Sequence, residues 1–361
     1  MSRRQIVAWL ERNEHYIASI ALVWGFVFDN LMLRRIDVWL DNIMLVTYLS
    51  VFTCGIILID LYDADVIRGR RLRYARAVMP FPMQFVLGGV FSICTVFYLR
   101  SASIATSWLF LLLLLGMLIG NEFFRSRYTQ FNFQFSVLFI AVFSYSVFAV
   151  PIALGKMGPD VFLQSGLVSL AIISTLILIF IFFIPHRIKK SARALAISIG
   201  SIYIAMNMLY FFNIIPPVPL SLKDSGVYHS ITRSPGGIYT LTQEPASWYR
   251  QFFGGGTIHL ISGEPAYFFS SVFAPTRLST EIVHRWEYYD GQKGQWVTSL
   301  KIQFPIYGGR DGGYRGYSLK TSLSSGLWRV SVETARGQVL GRRQFTIETV
   351  SMPPQLETIT N

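Results

Sequence analysis

Residues 308–317, GGRDGGYRGY, hold the densest set of side chains suited to recognising a ligand in this 361-residue chain. Arg310, Asp311, Tyr314, Arg315 and Tyr317 combine flat rings with guanidinium groups, a mixture that suits sugars or anionic ligands. The stretch has no lysine and no strand-to-helix context, so it is not a phosphate-binding loop, and its glycines also serve tight turns and close strand approach. Further along the same region, His284-Arg285-Trp286 alternate on a strand, which sends His284 and Trp286 to one face and Arg285 to the other. Trp286 then reads as core, and His284 as a hydrogen-bonded structural histidine rather than a general base.

A second set of polar residues lies in apolar surroundings. A carboxylate in hydrocarbon costs on the order of 3 kcal/mol and calls for a partner. Asp29 with Asn30 and Asp41 with Asn42 flank Arg34 and Arg35, so they form either a local ion network or part of a substrate or proton path. Asp60 and Glu122 abut basic stretches and read as interface pairs. The five histidines have no metal-ligand spacing, and neither a G-x-S-x-G elbow nor an H-E-x-x-H pair is present. No catalytic residues, cofactor or metal site are assigned, and only scattered polar residues stand behind an enzymatic reading.

The elements that carry these residues fall into two kinds. With 52% hydrophobic and only 14% charged residues, the chain is too apolar for a water-facing surface of this size. Seven apolar runs, at 16–33, 38–61, 80–99, 104–124, 131–154, 161–185 and 192–215, are each long enough to cross the bilayer as a helix. The formal charge of +12 does not point to nucleic acid, because the basic residues cluster at the ends of these runs. With a cytoplasmic N-terminus, fourteen basic residues lie inside: Arg3, Arg4, Arg12, Arg68, Arg70, Arg71, Arg73, Arg76, Arg125, Arg127, Arg187, Lys189, Lys190 and Arg193. Four lie outside, Arg34, Arg35, Arg100 and Lys156, so the asymmetry predicts that orientation, with the C-terminal part exported. The first run lacks a small-residue cleavage site and is expected to stay as an anchor.

The sequence predicts a seven-helix transmembrane domain over 1–215, a proline-rich junction over 216–226, a β-sandwich over 227–349 and a disordered tail over 350–361. Strands are expected at 227–232, 238–242, 258–261, 266–273, 281–289, 296–304, 313–321, 327–333 and 338–347, where apolar and polar residues alternate between turn signals. This spacing fits an immunoglobulin-like sandwich, with a jelly roll as the alternative; the cysteine pair of antibody domains is absent. Cys54 and Cys94 both fall in apolar runs, so the exported domain must be held by its own core. The aromatic segment 246–253 either caps that core or lies on a membrane surface.

Several strings carry a resemblance in their order and spacing: IPPVPLSLKDSGVYHS, VFAP, HRW, GGRDGGYRGYS, GLWRV and RGQVLG. From the seventh run to about Ile347 the chain resembles membrane-attached bacterial proteins that end in the domain of unknown function numbered 2914. The resemblance implies a Gram-negative envelope protein and lends no catalytic residues. The function expected is a multipass inner-membrane protein whose periplasmic sandwich binds a glycan, a lipid head group or a protein partner. The alternative is a transporter or intramembrane enzyme with an accessory domain. For the orientation, a cysteine placed at Ser325 should react with a membrane-impermeant thiol reagent in intact spheroplasts, and one at Ser126 should not. The reverse labelling pattern would invert the topology.

Overall fold

The computed structural model describes residues 39–101, 103–123, 127, 129–245, 256–310 and 312–360, together with Val27 and Leu31. They belong to two compact units. One comprises Met1–Leu99, Trp108–Leu154 and Gly158–Ile215; the other comprises Arg100–Ser107, Gly155–Met157 and Pro216–Asn361.

The first unit is helical: α1 (Trp39–Asp63), α2 (Arg70–Val78), α3 (Pro80–Ser101), α4 (Ile104–Phe123), α5 (Phe131–Leu154), α6 (Pro159–Phe183) and α7 (Pro185–Phe211). Among the described residues, five helices are long and apolar enough to cross a membrane: Trp39–Asp63, Arg70–Ser101, Phe131–Leu154, Pro159–Phe183 and Pro185–Phe211. The fourth expected run is a shorter apolar helix, Thr106–Asn121. The first run lies outside the described residues except for Val27 and Leu31, both helical.

Two basic stretches that fall largely between the expected apolar runs are helical. Residues 70–78 form α2, which runs on into α3, and residues 187–193 form the opening turns of α7. Arginine and lysine are good helix formers, and Pro185, in the first turn of α7, has no N–H to leave unpaired there. Ile184 is therefore the whole connection between α6 and α7.

Helix α5 is the centre of this unit, with aromatic rings along most of its length. Phe131 and Phe135 meet Phe180 of α6, and Phe143 meets Phe162 of α6 and Tyr203 of α7. Small residues let the helices approach. A Cβ on Gly166 would lie 2.8 Å from the Tyr203 ring, and one on Gly89 would lie 2.5 Å from Tyr48. Asn121 of α4 donates to the Gln84 carbonyl of α3 at 2.9 Å, which satisfies an amide that lipid could not.

The second unit is built from β1 (Ser221–Tyr228), β2 (Ser230–Arg233), β3 (Tyr239–Gln243), β4 (Thr257–Ile261), β5 (Ala266–Phe273), β6 (Ser279–Asp290), β7 (Gln295–Tyr307), β8 (Tyr314–Lys320), β9 (Gly326–Thr334), β10 (Val339–Val350) and β11 (Glu357–Thr360). A three-stranded sheet, β1-β5-β8, shares a core with a five-stranded sheet, β4-β10-β9-β6-β7. Phe268 and Val272 of β5 meet Ile282 and Trp286 of β6, Val330 and Val332 of β9, and Phe345 of β10. The third sheet, β11-β3-β2, buries Ile231, Tyr239 and Leu241 against Phe269, whose neighbour Phe268 points to the main core.

Two segments expected to be irregular are strands. Ser221–Tyr228, placed largely in the junction by sequence, pairs antiparallel with β5, and Glu357–Thr360 of the expected disordered tail pairs with β3. Neither has a turn signal or a clean alternation to mark it; each is held by hydrogen bonds to a distant strand. The aromatic segment 246–253 lies outside the described residues.

On its other face the five-stranded sheet carries charge. Arg329 donates to both oxygens of Glu287, at 2.7 and 3.1 Å, with its guanidinium 4.2 Å from the Trp296 ring centre. Arg285 pairs with Glu333, and Arg342 donates to Ser331 at 3.0 Å. Burial pushes the Glu333 carboxyl up in spite of Arg285.

Trp286 is fully buried between the sheets, with Phe268 and Phe345 edge-on to it. Replacing it with alanine removes the largest side chain in the core, and Trp286→Ala should destabilise this unit by about 3–5 kcal/mol. Denaturant-dependent hydrogen exchange of the β6 and β9 amides would read the loss.

Candidate functional site

Of the five polar residues in the glycine-rich stretch, the four that are described do not share one face. A Cβ on Gly308 would lie 1.7 Å from the Pro275 carbonyl oxygen, and one on Gly316 would lie 2.6 Å from the Phe304 ring. These glycines serve close backbone and ring approach. Arg310 sits 5.3 Å over the Tyr314 ring, and Tyr314 packs against the main core. Strand alternation sends Arg315 and Tyr317 to the opposite face of β8, where Tyr317 meets Tyr239 and Tyr267 at 6.3 Å. Asp311 lies outside the described residues.

His284 is fully buried and bonded at both ring nitrogens, Nε2 to Ser270 Oγ at 2.7 Å and Nδ1 to Ser318 Oγ at 2.9 Å. Burial pulls its pKa down to about 3, so the imidazole is neutral and structural. Of the intramembrane group, Asp41 and Asn42 stand in the first turn of α1, and Asn42 accepts a hydrogen bond from the Tyr145 hydroxyl of α5 at 3.2 Å. Asp29 and Asn30 lie outside the described residues. Asp60 is buried at the far end of α1 and pairs with Arg187 at 2.8 Å, an ion pair with a neighbouring helix rather than with a loop.

A different cluster converges in the second unit. A cleft of about 550 Å³ is lined by Asp224, Tyr228, His229, Glu244, His259 and Arg343, among others. The chain leaves the three-stranded sheet at Tyr228 and joins the third sheet at Ser230, which leaves His229 at the crossing. Its Nε2 is 3.0 Å from Glu244 Oε1. From β4, His259 brings Nδ1 to within 2.7 Å of Glu244 Oε2, and its backbone N–H donates to Oε1 at 2.6 Å. A carboxylate only accepts, so both ring nitrogens facing Glu244 carry protons. Arg343 of β10 donates to the Ser225 carbonyl and hydroxyl at 3.1 and 3.2 Å, across to β1.

The electrostatics of the cluster reinforce one another. The hydrogen bond to Glu244 raises the His259 pKa above its ordinary 6.5. At Glu244 burial pushes upward, but the hydrogen bonds from both histidines outweigh it and the pKa falls below 4.5. The cleft thus presents a charged acceptor, two imidazole rings, a guanidinium and a tyrosine ring. Such a surface is equipped to orient a hydroxyl-rich or charged ligand through hydrogen bonds. Among the described residues, no group of three or more His, Cys, Asp and Glu side chains could hold a metal ion.

Sequence reasoning missed this cluster because its members are spaced fifteen residues apart, at 229, 244 and 259. One signal was present. The Ser234–Gly237 turn sets the β2–β3 register, Ser230 opposite Thr242, and that register carries His229 to the neighbourhood of Glu244. The contribution of β4 has no such local marker.

Because the folded His259 lies above 6.5, its share of stability is complete below that pH and is lost as pH rises through the raised value. The share of Glu244 is complete above 4.5 and is lost as pH falls through the lowered value. His259 is partly exposed, so solvent screens the effect. Glu244→Gln should bring the His259 pKa back down toward 6.5, as followed by the ring-proton shifts in an NMR titration; an unchanged value would show that Glu244 does not set it.

Comparisons with known proteins add a domain match in the C-terminal region but no activity. No curated protein matches the chain. Two solved structures of a β-glucosidase from Listeria innocua, with gluconolactone and with isofagomine, align at 9% and 11% identity with TM-scores of 0.20 and 0.19. Each alignment covers 31% of this chain and 16% of that enzyme, so the chain spans about a sixth of its length. The Pseudomonas fluorescens alkylpurine DNA glycosylase AlkC, bound to DNA containing an abasic site analog, aligns at 12% identity over 86% of this chain and 99% of that one, with a TM-score of 0.20. Scores this low establish no common fold. Residues 279–347 match the family described as "Protein of unknown function (DUF2914)", so the C-terminal region carries the domain that the sequence resemblance implies.

Proposed function

We propose that this chain is a multipass protein of a bacterial inner membrane whose C-terminal domain stands in the periplasm as an immunoglobulin-like sandwich and binds an envelope glycan. Three kinds of observation support the reading. The basic residues bracketing the apolar runs favour a cytoplasmic N-terminus. The β1-β5-β8 and β4-β10-β9-β6-β7 strand order, with Trp286 buried on the third long strand, suits an immunoglobulin-like arrangement that lacks the cysteine pair.

The observation that carries the ligand is the cleft with His229, Glu244, His259 and Arg343. Its volume of about 550 Å³ falls in the range of small-molecule sites, and its donors and acceptors of both signs match ring hydroxyls and acidic sugar substituents. A stable protein partner would call for a far larger contact surface, about 800 Å² on each side, than a cleft of this size.

Full-length protein in detergent should retain one class of envelope glycan, such as peptidoglycan fragments or lipopolysaccharide core sugars. Glu244→Gln and His229→Ala should each weaken that retention at least about tenfold, since each removes a hydrogen-bonding group that orders the part-buried cleft. Retention that ignores both substitutions, or no retention of any glycan, would remove the reading.

A further inference from the structure

The two carboxylates in the last turn of α1 gather basic segments that are far apart in sequence. Asp63 accepts two hydrogen bonds from Arg76 of α2, at 2.9 and 3.1 Å, while Tyr62 receives Arg73 at 3.4 Å. One turn back, Asp60 pairs with Arg187 of α7, whose guanidinium lies 5.3 Å from the Phe131 ring of α5. Asp65, just past α1, is taken up by Arg68. Segments 60–76 and 187–193 hold nine basic residues against these three carboxylates. Arg70, Arg71, Lys189, Lys190 and Arg193 are exposed, and none pairs with a carboxylate among the described residues. Large apolar side chains stand out in the same segments: Tyr74 is 74% exposed on α2, and Phe182 is 81% exposed at the end of α6.

Unpaired cations and outward-facing rings in the same segments, at the ends of helices apolar enough to cross a bilayer, form a surface with the polarity profile of the membrane interface. We propose that this end of the helical unit is a binding surface for anionic phospholipid head groups, with Arg70, Arg71, Lys189 and Lys190 contacting the phosphates. The proposal rests on the membrane reading of the first unit. Asp63 and Asp60 hold α2 and α7 against the end of α1, and Arg70, Arg71, Lys189 and Lys190 stand exposed where a head group lies. α2 suits the role because it has no buried residue, and while Arg73 and Arg76 bond Tyr62 and Asp63, Arg70 and Arg71 stand exposed.

The test uses the full chain reconstituted in nanodiscs of phosphatidylcholine, with and without phosphatidylglycerol. Native mass spectrometry would then read the lipids that stay bound as the disc is removed. Each basic residue at a membrane surface favours an anionic lipid by about fivefold, so wild-type protein should retain phosphatidylglycerol over phosphatidylcholine by at least that factor. The combined Arg70→Gln, Arg71→Gln, Lys189→Gln and Lys190→Gln variant should retain the two about equally, while Lys301→Gln on β7 should behave as wild type. Because the fourfold variant could fail to fold, wild-type enrichment is also measured in rising sodium chloride, where screening should abolish it. Enrichment that survives both the variant and salt overturns the proposal, as does wild-type protein without enrichment. Inorganic phosphate that competes with phosphatidylglycerol far better than chloride of equal ionic strength would mark a free-phosphate site and overturn the lipid assignment. Failure to enter either disc would overturn the membrane reading itself, and it is distinguishable because no lipid then binds.

Discussion

The C-terminal unit has no cysteine, so its facing sheets must be joined by something other than a disulfide, and a shared hydroxyl does part of that work. Ser318 of β8 accepts the Trp286 Nε1 hydrogen at 3.0 Å and pairs with His284 Nδ1, while Ser270 of β5 pairs with His284 Nε2. Two serines of the three-stranded sheet are thereby tied to two residues of the five-stranded sheet. Either neutral tautomer of His284 satisfies both of its ring nitrogens. An imidazolium would have to exist in the same dry site, and burial opposes it. The ring positions of Phe268, Phe304 and Phe345, packed around His284 and Trp286, follow from this polar node. Polar groups this deep specify one arrangement of the sheets because any other leaves them unpaired.

The same rule governs the helical unit through different residues. Asn121 and Gln84 bond each other's backbone carbonyls, and Asp60 finds Arg187, so buried polar atoms mark where helices must meet. Dispersion contacts then fill the remainder, with Phe162 stacked on Tyr210 at 3.8 Å and glycines admitting the bulky rings.

The cleft in the second unit exists because the chain changes sheets. The crossing at His229 and the parallel pairing of β4 with β10 bring side chains of three sheets to one rim. A sandwich closed by short hairpins alone would have had no place where a glutamate could receive two histidines. The charged outer face, by contrast, uses cross-strand neighbours such as Glu287 and Arg329, an arrangement that stabilises strand pairing without forming a cleft.

Periodicity and length made most of the elements legible. The run 131–154 coincides with α5, and alternation marked β6, β7 and β9, because burial on one side leaves a repeating imprint on the residues themselves. Adjacent placement of His284 and Trp286 on the core side followed from the pleat alone. The helical state of the basic stretches is not legible from their charge, which reports where a segment lies and not whether its backbone is helical; local propensity and Pro185 decide that. The strands β1 and β11 were hidden, as their hydrogen bonds go to partners found only after folding. The polar residues of 308–317 looked like one site because they are contiguous, yet a strand sends neighbours to opposite faces. His229, Glu244 and His259 are far apart in the chain and meet only where strands of different sheets converge on one cleft, a consequence of long-range packing that no local pattern encodes.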